Sequence, residues 1–204
     1  MDGLELLLRD HARAHTRNVG KPEGGIAIGE FTFNTLSDDQ MRRRPGEGLN
    51  SLAWLLWHMA RTEDMAVNAC IALRPQVLQE GDWAARLGID RIDMAAGMTD
   101  DEVEDFTKQV NITALREYRD AVGKRSIEVL SAMSPDELDE PLDHATIMNA
   151  YADGTILENA GWLEAFTKDK SKAFLLSHTL SAHNFMHIGE AFCLRSMIGE
   201  KVPI

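Results

Sequence analysis

The sequence predicts an all-helical fold, a four-helix bundle with long irregular connections, on three observations. Apolar residues recur at the helical period in four long stretches, capping signals mark where those stretches begin and end, and the two-residue alternation of a strand persists nowhere. At 204 residues the chain can bury one sizeable core, so residues 1–204 are expected to form a single domain. No internal repeat or low-complexity segment interrupts it.

Leu4, Leu7, Leu8, His11 and His15 fall on one helix face, which predicts a first helix from about 2 to 18. A glycine-rich stretch follows, VGKPEGGIAIGE, and then Ser37 with Gln40 three residues on forms a capping-box signal. The second long helix starts with Asn50 or Ser51 as its N-cap, reads SLAWLLWHMARTEDMAVNACIALR, and stops at Pro75. Its first half is apolar almost all round and must be largely buried. Residues 76–98 hold no sustained period and read as a long crossover with room for a turn of helix. Thr99 with Glu102 makes another capping box, and Leu115, Tyr118, Val122, Val129 and Leu130 mark the third long helix, ended by Ser134 and Pro135. A second irregular stretch, 134–168, carries short helical pieces around Ile147–Ala152 and Glu158–Phe166. The fourth long helix runs from near Lys170 to Gly199, with Pro203 beyond it. Two long connections argue against a simple up-and-down order.

Composition removes several classes of function. With 21 basic and 33 acidic residues the net charge is -12, which repels phosphate backbones and anionic lipid, so neither nucleic acid nor membrane is an expected partner. The opening residues MDGLELLLRDHARAH lack a signal peptide's basic start and apolar run, and no apolar stretch approaches the roughly 18 residues of a membrane span. A soluble, unprocessed, cytoplasmic protein is expected. Cys70 and Cys193 match neither a disulfide framework nor a zinc ribbon and read as reduced, mostly buried thiols.

The chemistry-bearing residues are histidines. His183 and His187 are four apart, so on a helix they differ by about 40° and lie one turn apart, where both imidazoles reach one ion. Leu176, Leu180, Leu194 and Ile198 share that stripe and turn the pair inward; on the second helix Leu55, His58, Thr62 and Met65 carry His58 inward in the same way. Three neutral imidazoles leave coordination positions open on a divalent ion, which is how a protein lowers the pKa of a bound water or thiol toward neutrality. The spacing alone equally fits a hydrogen-bonded core pair or a pocket wall. His11 and His15 show this, because HARAH has the same spacing and could be a rival half-site, a pocket wall or histidines at the mouth of the bundle. His144 reads as surface, and His178, about 140° from His183 on an ideal α-helix, is not expected to share its ion. Glu190, one turn past His187, reads as a ligand, a partner of a ligand, a general base or a surface residue. Glu63 and Asp64 point away from the His58 stripe and read as solvated or paired; Trp54 and Trp57 read as core, with Trp54 also able to wall a pocket.

Two segments resemble the DinB/YfiT-like superfamily: LSDDQMRRRPGEGLNSLAWLLWHMARTED at 36–64, a proline-containing loop leading into a helix and its histidine, and HNFMHIGEAFCLRSMIG at 183–199, a closing helix with an H-x-x-x-H pair. The resemblance implies an up-down-down-up four-helix bundle, often a homodimer, that holds zinc, nickel or iron through His58, His183 and His187. It implies a metal-dependent enzyme acting on a small-molecule substrate, by thiol transfer with a low-molecular-weight thiol or by hydrolysis. The alternative is a noncatalytic dimeric helical protein that binds a small ligand and whose histidines are structural. Three long connections depart from the compact pattern and read as binding loops or lids.

Overall fold

A computed structural model describes residues 1–202, apart from the side chain of Glu23; Pro203 lies outside the described residues. The α-helices are α1 (Gly3–Ala14), α2 (Asp38–Arg42), α3 (Leu52–Asp64), α4 (Trp83–Leu87), α5 (Asp100–Gln109), α6 (Ile112–Ala132), α7 (His144–Ala152), α8 (Trp162–Thr167), α9 (Lys172–Ser177) and α10 (Asn184–Met197). Two π-helical segments extend them: Met65–Ile71 continues α3, and His178–His183 joins α9 to α10 without a break in helical backbone. The described residues contain no strand, only an isolated bridge between Pro141 and Ser171, and no helix long and apolar enough to cross a membrane. The fold is therefore all-helical, with more helices than the four long ones the periodicity shows.

The local signals act where the sequence puts them. Ser37 with Gln40 and Thr99 with Glu102 close reciprocal capping boxes, and Ser51, not Asn50, caps α3 by accepting the Trp54 N–H. The first helix is shorter than expected. His15 adopts extended backbone (φ -99°, ψ -167°) and ends α1 at Ala14. The last helix ends at Met197, and Gly199 two residues on has a φ of +84°, a left-handed conformation that glycine adopts without a Cβ clash.

α3 packs along α6 and α10, and α1 lies against α6, α10 and the His178–His183 segment. Every residue from Leu52 to Asp64 is buried. Leu52, Leu55 and Trp57 are wholly enclosed, and at roughly 1.5–3 kcal/mol per large apolar side chain each outweighs a helix cap of about 1 kcal/mol. A helix buried on all sides must also match its charges internally, which settles Glu63 and Asp64: both are fully buried, so the solvated reading is wrong and the paired one right.

Glu63 accepts from four side chains. His11 Nε2 (2.8 Å) and Ser126 Oγ (2.7 Å) meet Oε1; His15 Nε2 (3.0 Å) and Arg119 Nη1 (2.8 Å) meet Oε2. Asp64 accepts from Arg61, Tyr118 and Asn68 and from the backbone N–H groups of Val77 and Leu78, which pins the start of the crossover to α3. Cys70 is buried, but Cys193 is exposed on the outer face of α10, against the expectation that both thiols would be covered.

Removing the Glu63 charge leaves Arg119 as an unmatched buried cation. Glu63→Gln is expected to lower the unfolding free energy in urea by about 3–5 kcal/mol, whereas Cys193→Ser stays within about 0.5 kcal/mol of the parent. Burial, with the Arg119 charge beside it, lowers His15 from 6.5 to about 3. Between those values the unfolded chain takes up a proton that the folded chain refuses, so stability falls as pH drops from 6.5 toward 3. Urea midpoints measured from about pH 7 to about pH 4 are expected to decline, with a shallower slope in His15→Gln; equal slopes would show that His15 takes up its proton in the fold as readily as in the unfolded chain.

Candidate metal centre

α3 carries His58, the π-helical segment ends on His183, and the first turn of α10 carries His187. One nitrogen from each lies within 4.8 Å of the others. His58, His183 and His187 are only 7, 6 and 9 % exposed, and the Nε2 atoms of His58 and His183 face each other at 3.0 Å. Two nitrogens sharing one zinc ion at bonds of about 2.05 Å and a tetrahedral angle stand roughly 3.3 Å apart. The observed spacing is close to that, and two lone pairs so near each other need a proton or a cation between them.

The outer nitrogens show which atoms are free to ligate. His58 Nδ1 meets the Met94 carbonyl at 2.5 Å, and because a carbonyl only accepts, Nδ1 carries the proton and Nε2 keeps its lone pair. His187 Nδ1 meets Glu190 Oε2 at 2.8 Å, which in the same way leaves Nε2 as the acceptor. His183 Nδ1 is buried without a partner. Burial and the neighbouring His187 lower His58 to about 4, and burial with the surrounding imidazoles holds His183 well below the usual histidine range. Both are therefore neutral near pH 7, the form that binds a metal. The donor set fits a divalent transition metal.

Glu190 is thus placed behind His187 and not in front of it. Its other oxygen accepts from Asn50 Nδ2 at 3.1 Å, so both oxygens are engaged, and the hydrogen bond from His187 keeps its carboxyl below the ordinary range. Trp54 stacks on His58, with centroids 5.0 Å apart and planes 17° from parallel, and so walls the site; Trp57 is core, its Nε1–H donating to the Asp93 carbonyl. His178 lies at 5.7 Å from the His183 ring and lines the same cavity. The 140° expected between them holds for an α-helix; in a π-helix, whose bonds run i to i+5, residues five apart come back to one side. His144 is partly covered, where the sequence predicts a surface residue, and its Nε2 stands 3.9 Å from Glu164.

His11, His15 and Glu63 form a second group with ligand atoms within 4.8 Å of one another. Here the carboxylate is already saturated by His11, His15, Ser126 and Arg119, and the guanidinium supplies the positive charge a cation would bring. Burial would raise the Glu63 carboxyl, but the donors around it, His15, Arg119 and His11, hold it well below the ordinary carboxylate range. Sequence reasoning missed this network. The signal was present, because charged residues in a helix that is apolar all round need partners from its neighbours.

The three histidines form one end of a cavity of about 360 Å³. Its other walls come from the crossover at Met94, Ala96 and Gly97 and from α7 and α8, at Ile147, Trp162 and Phe166. Of the three long connections expected to act as binding loops, 76–98 and 134–168 line the cavity and the glycine-rich stretch after α1 does not.

A crystal structure described as the conserved protein of a locus from Enterococcus faecalis is similar in fold, with a TM-score of 0.69 at 18% identity over 98% of this chain and 99% of that one. No curated protein matched the sequence. The family model of the DinB superfamily matches residues 30–191, a span that includes α2 to α9 and all three histidines. The chain belongs to the DinB superfamily.

Proposed function

We propose that the protein is a metal-dependent enzyme in which His58, His183 and His187 hold a divalent transition metal, within an up-down-down-up arrangement of its four long helical rods. The observation that carries this reading is the convergence of three imidazoles whose outer nitrogens are held, in two of the three, by a carbonyl and a carboxylate. When bound, such an ion supplies Lewis acidity and brings a coordinated water or thiol toward ionisation near pH 7. The chain's own residues do the rest. Met94 and Glu190 fix the tautomers of His58 and His187, Trp54 restricts rotation of the His58 ring, and the apolar walls exclude bulk water. Glu190, with both oxygens engaged, acts as a positioning residue.

Protein purified without an affinity tag is expected to contain about one transition-metal ion per chain by mass spectrometry, and His183→Ala to contain almost none. A parent protein that stays metal-free after incubation with zinc, nickel and iron(II) would sink the proposal.

Glu190→Gln is expected to weaken zinc about 10–100-fold in competition with a chromogenic chelator, with little change in the urea midpoint. Affinity equal to the parent's would show that the Glu190 contact does not orient His187.

The noncatalytic reading rests on a different observation, that among the described residues no Asp or Glu lines the cavity, which leaves its histidines to accept a proton. It predicts that small-ligand binding survives removal of the metal and that no thiol or ester turnover accompanies reloading.

A further inference from the structure

The cavity over the three histidines has a composition that specifies its occupant. Among its lining residues there is no Asp, Glu, Lys or Arg. The walls are Trp, Phe, Met, Leu, Ile and Ala side chains, and the apolar character continues outward, since Trp162 and Met186 line the cavity while remaining 58 and 59 % exposed. At about 360 Å³ it is more than twice the roughly 150 Å³ apolar cavity that accommodates benzene, which is room for a bicyclic ring system or its equivalent in branched hydrocarbon.

Besides His183 Nδ1, two hydroxyls of lining residues are unused. Thr62, one turn past His58, and Thr179, one turn before His183, are 6 and 1 % exposed, and neither hydroxyl has a partner among the described residues. A buried hydroxyl left without a hydrogen bond costs about 1–3 kcal/mol. Thr167, also on the wall, is by contrast satisfied by the Leu163 carbonyl. The two unpartnered hydroxyls belong to lining residues on the two helical rods that carry the histidines, and each oxygen exposes almost no surface to the cavity, so a ligand would meet it after rotation about the threonine Cα–Cβ bond.

We infer that this cavity selects an uncharged, largely apolar small molecule with a ring-sized body, which presents one coordinating atom to the histidines and one hydrogen-bonding group to Thr62 and Thr179. In the metal-free protein a carboxylate or ammonium inside it would be desolvated with no Asp, Glu, Lys or Arg among the lining residues to match it, and the chain's net charge of -12 further disfavours anions at the entrance. Multiply charged low-molecular-weight thiols such as glutathione are therefore poor occupants, and the thiol or water chemistry acts on a hydrophobic substrate. The coordinating atom rests on the metal reading above; the selection against charge does not.

The test uses matched probes and calorimetry. In metal-free protein 2-naphthol is expected to bind at least about 30-fold more tightly than 2-naphthoate, which has the same ring and a carboxylate. Thr179→Val, which preserves shape, is expected to weaken 2-naphthol about 5-fold or more while leaving naphthalene unchanged. Equal or tighter binding of 2-naphthoate, or no binding of either naphthol or naphthalene, overturns the inference. Zinc-loaded protein then tests the coordinating atom: zinc is expected to tighten 2-naphthalenethiol but not 2-methylnaphthalene, and glutathione binding more tightly than 2-naphthalenethiol overturns the inference as well. Failure of zinc to load defeats the metal reading alone, because the selectivity between naphthol and naphthoate is read without it.

Discussion

The structure depends on one buried carboxylate. Glu63 sits in a helix with no exposed side, where an unmatched charge costs several kcal/mol, and it is stable there only because four donors reach it at once. His11 comes from α1, His15 from just beyond it, and Arg119 and Ser126 from α6. Arg119 continues the network: it also donates to the Met59 carbonyl at 3.1 Å and to Asn184 Oδ1 at 2.9 Å. Met59 follows His58 and Asn184 follows His183. A single guanidinium therefore holds the residues next to two candidate ligands, and the register that satisfies Glu63 is the register that brings His58 and His183 together.

The crossover is fixed by a comparable device. Trp57, His58 and Arg61 on α3 donate to three neighbouring carbonyls, those of Asp93, Met94 and Ile92. Asp93 in turn accepts from the Ala95 N–H and from Arg91. Ala95 is held at φ +67°, a left-handed conformation that costs a residue with a Cβ roughly 1–2 kcal/mol, and Gly97 follows at +89°. A Cβ on Gly97 would sit 2.1 Å from Asn159 Oδ1, so glycine there lets Asn159 reach the Gly97 carbonyl and latch the crossover to the segment before α8. The strain lies beside the cavity because the chain turns there to form its wall while still presenting Met94 O to His58.

Local sequence encodes the caps, the helix periods and the inward stripes, because these depend on neighbours within a turn or two. The Ser37, Ser51 and Thr99 caps and the inward face of His58 were legible for that reason. The π-helical segment was not, since nothing in HTLSAH distinguishes i to i+5 bonding from α-helix, and the error of rotation it introduces moved His178 from the far side of the helix to the cavity wall. Nor could spacing separate HARAH from HNFMH. Both put two imidazoles one turn apart on an inward face, and what differs is the partner, which comes from a residue 48 to 52 positions away in one case and 125 in the other.

The two histidine pairs illustrate how similar local geometry leads to different chemistry. Around His11 and His15 an ionised carboxylate and a guanidinium cancel, every Glu63 oxygen is spoken for, and nothing remains for an added cation to neutralise. Around His183 and His187 the nearest partner is a third neutral imidazole, the carboxylate of Glu190 lies on the outer side of His187, and the Nε2 lone pairs of His58 and His187 are not consumed by their own tethers. The first group is electrostatically complete and the second is short of a positive charge. Arg119 belongs to the first and touches the residue following His183, so packing that completes the structural cluster also keeps its guanidinium bonded to Glu63 and Asn184 rather than to the ligand nitrogens. With its one open side toward a cavity free of charged side chains, the second group is where a divalent ion would find ligands without a competitor and where its field would be least screened.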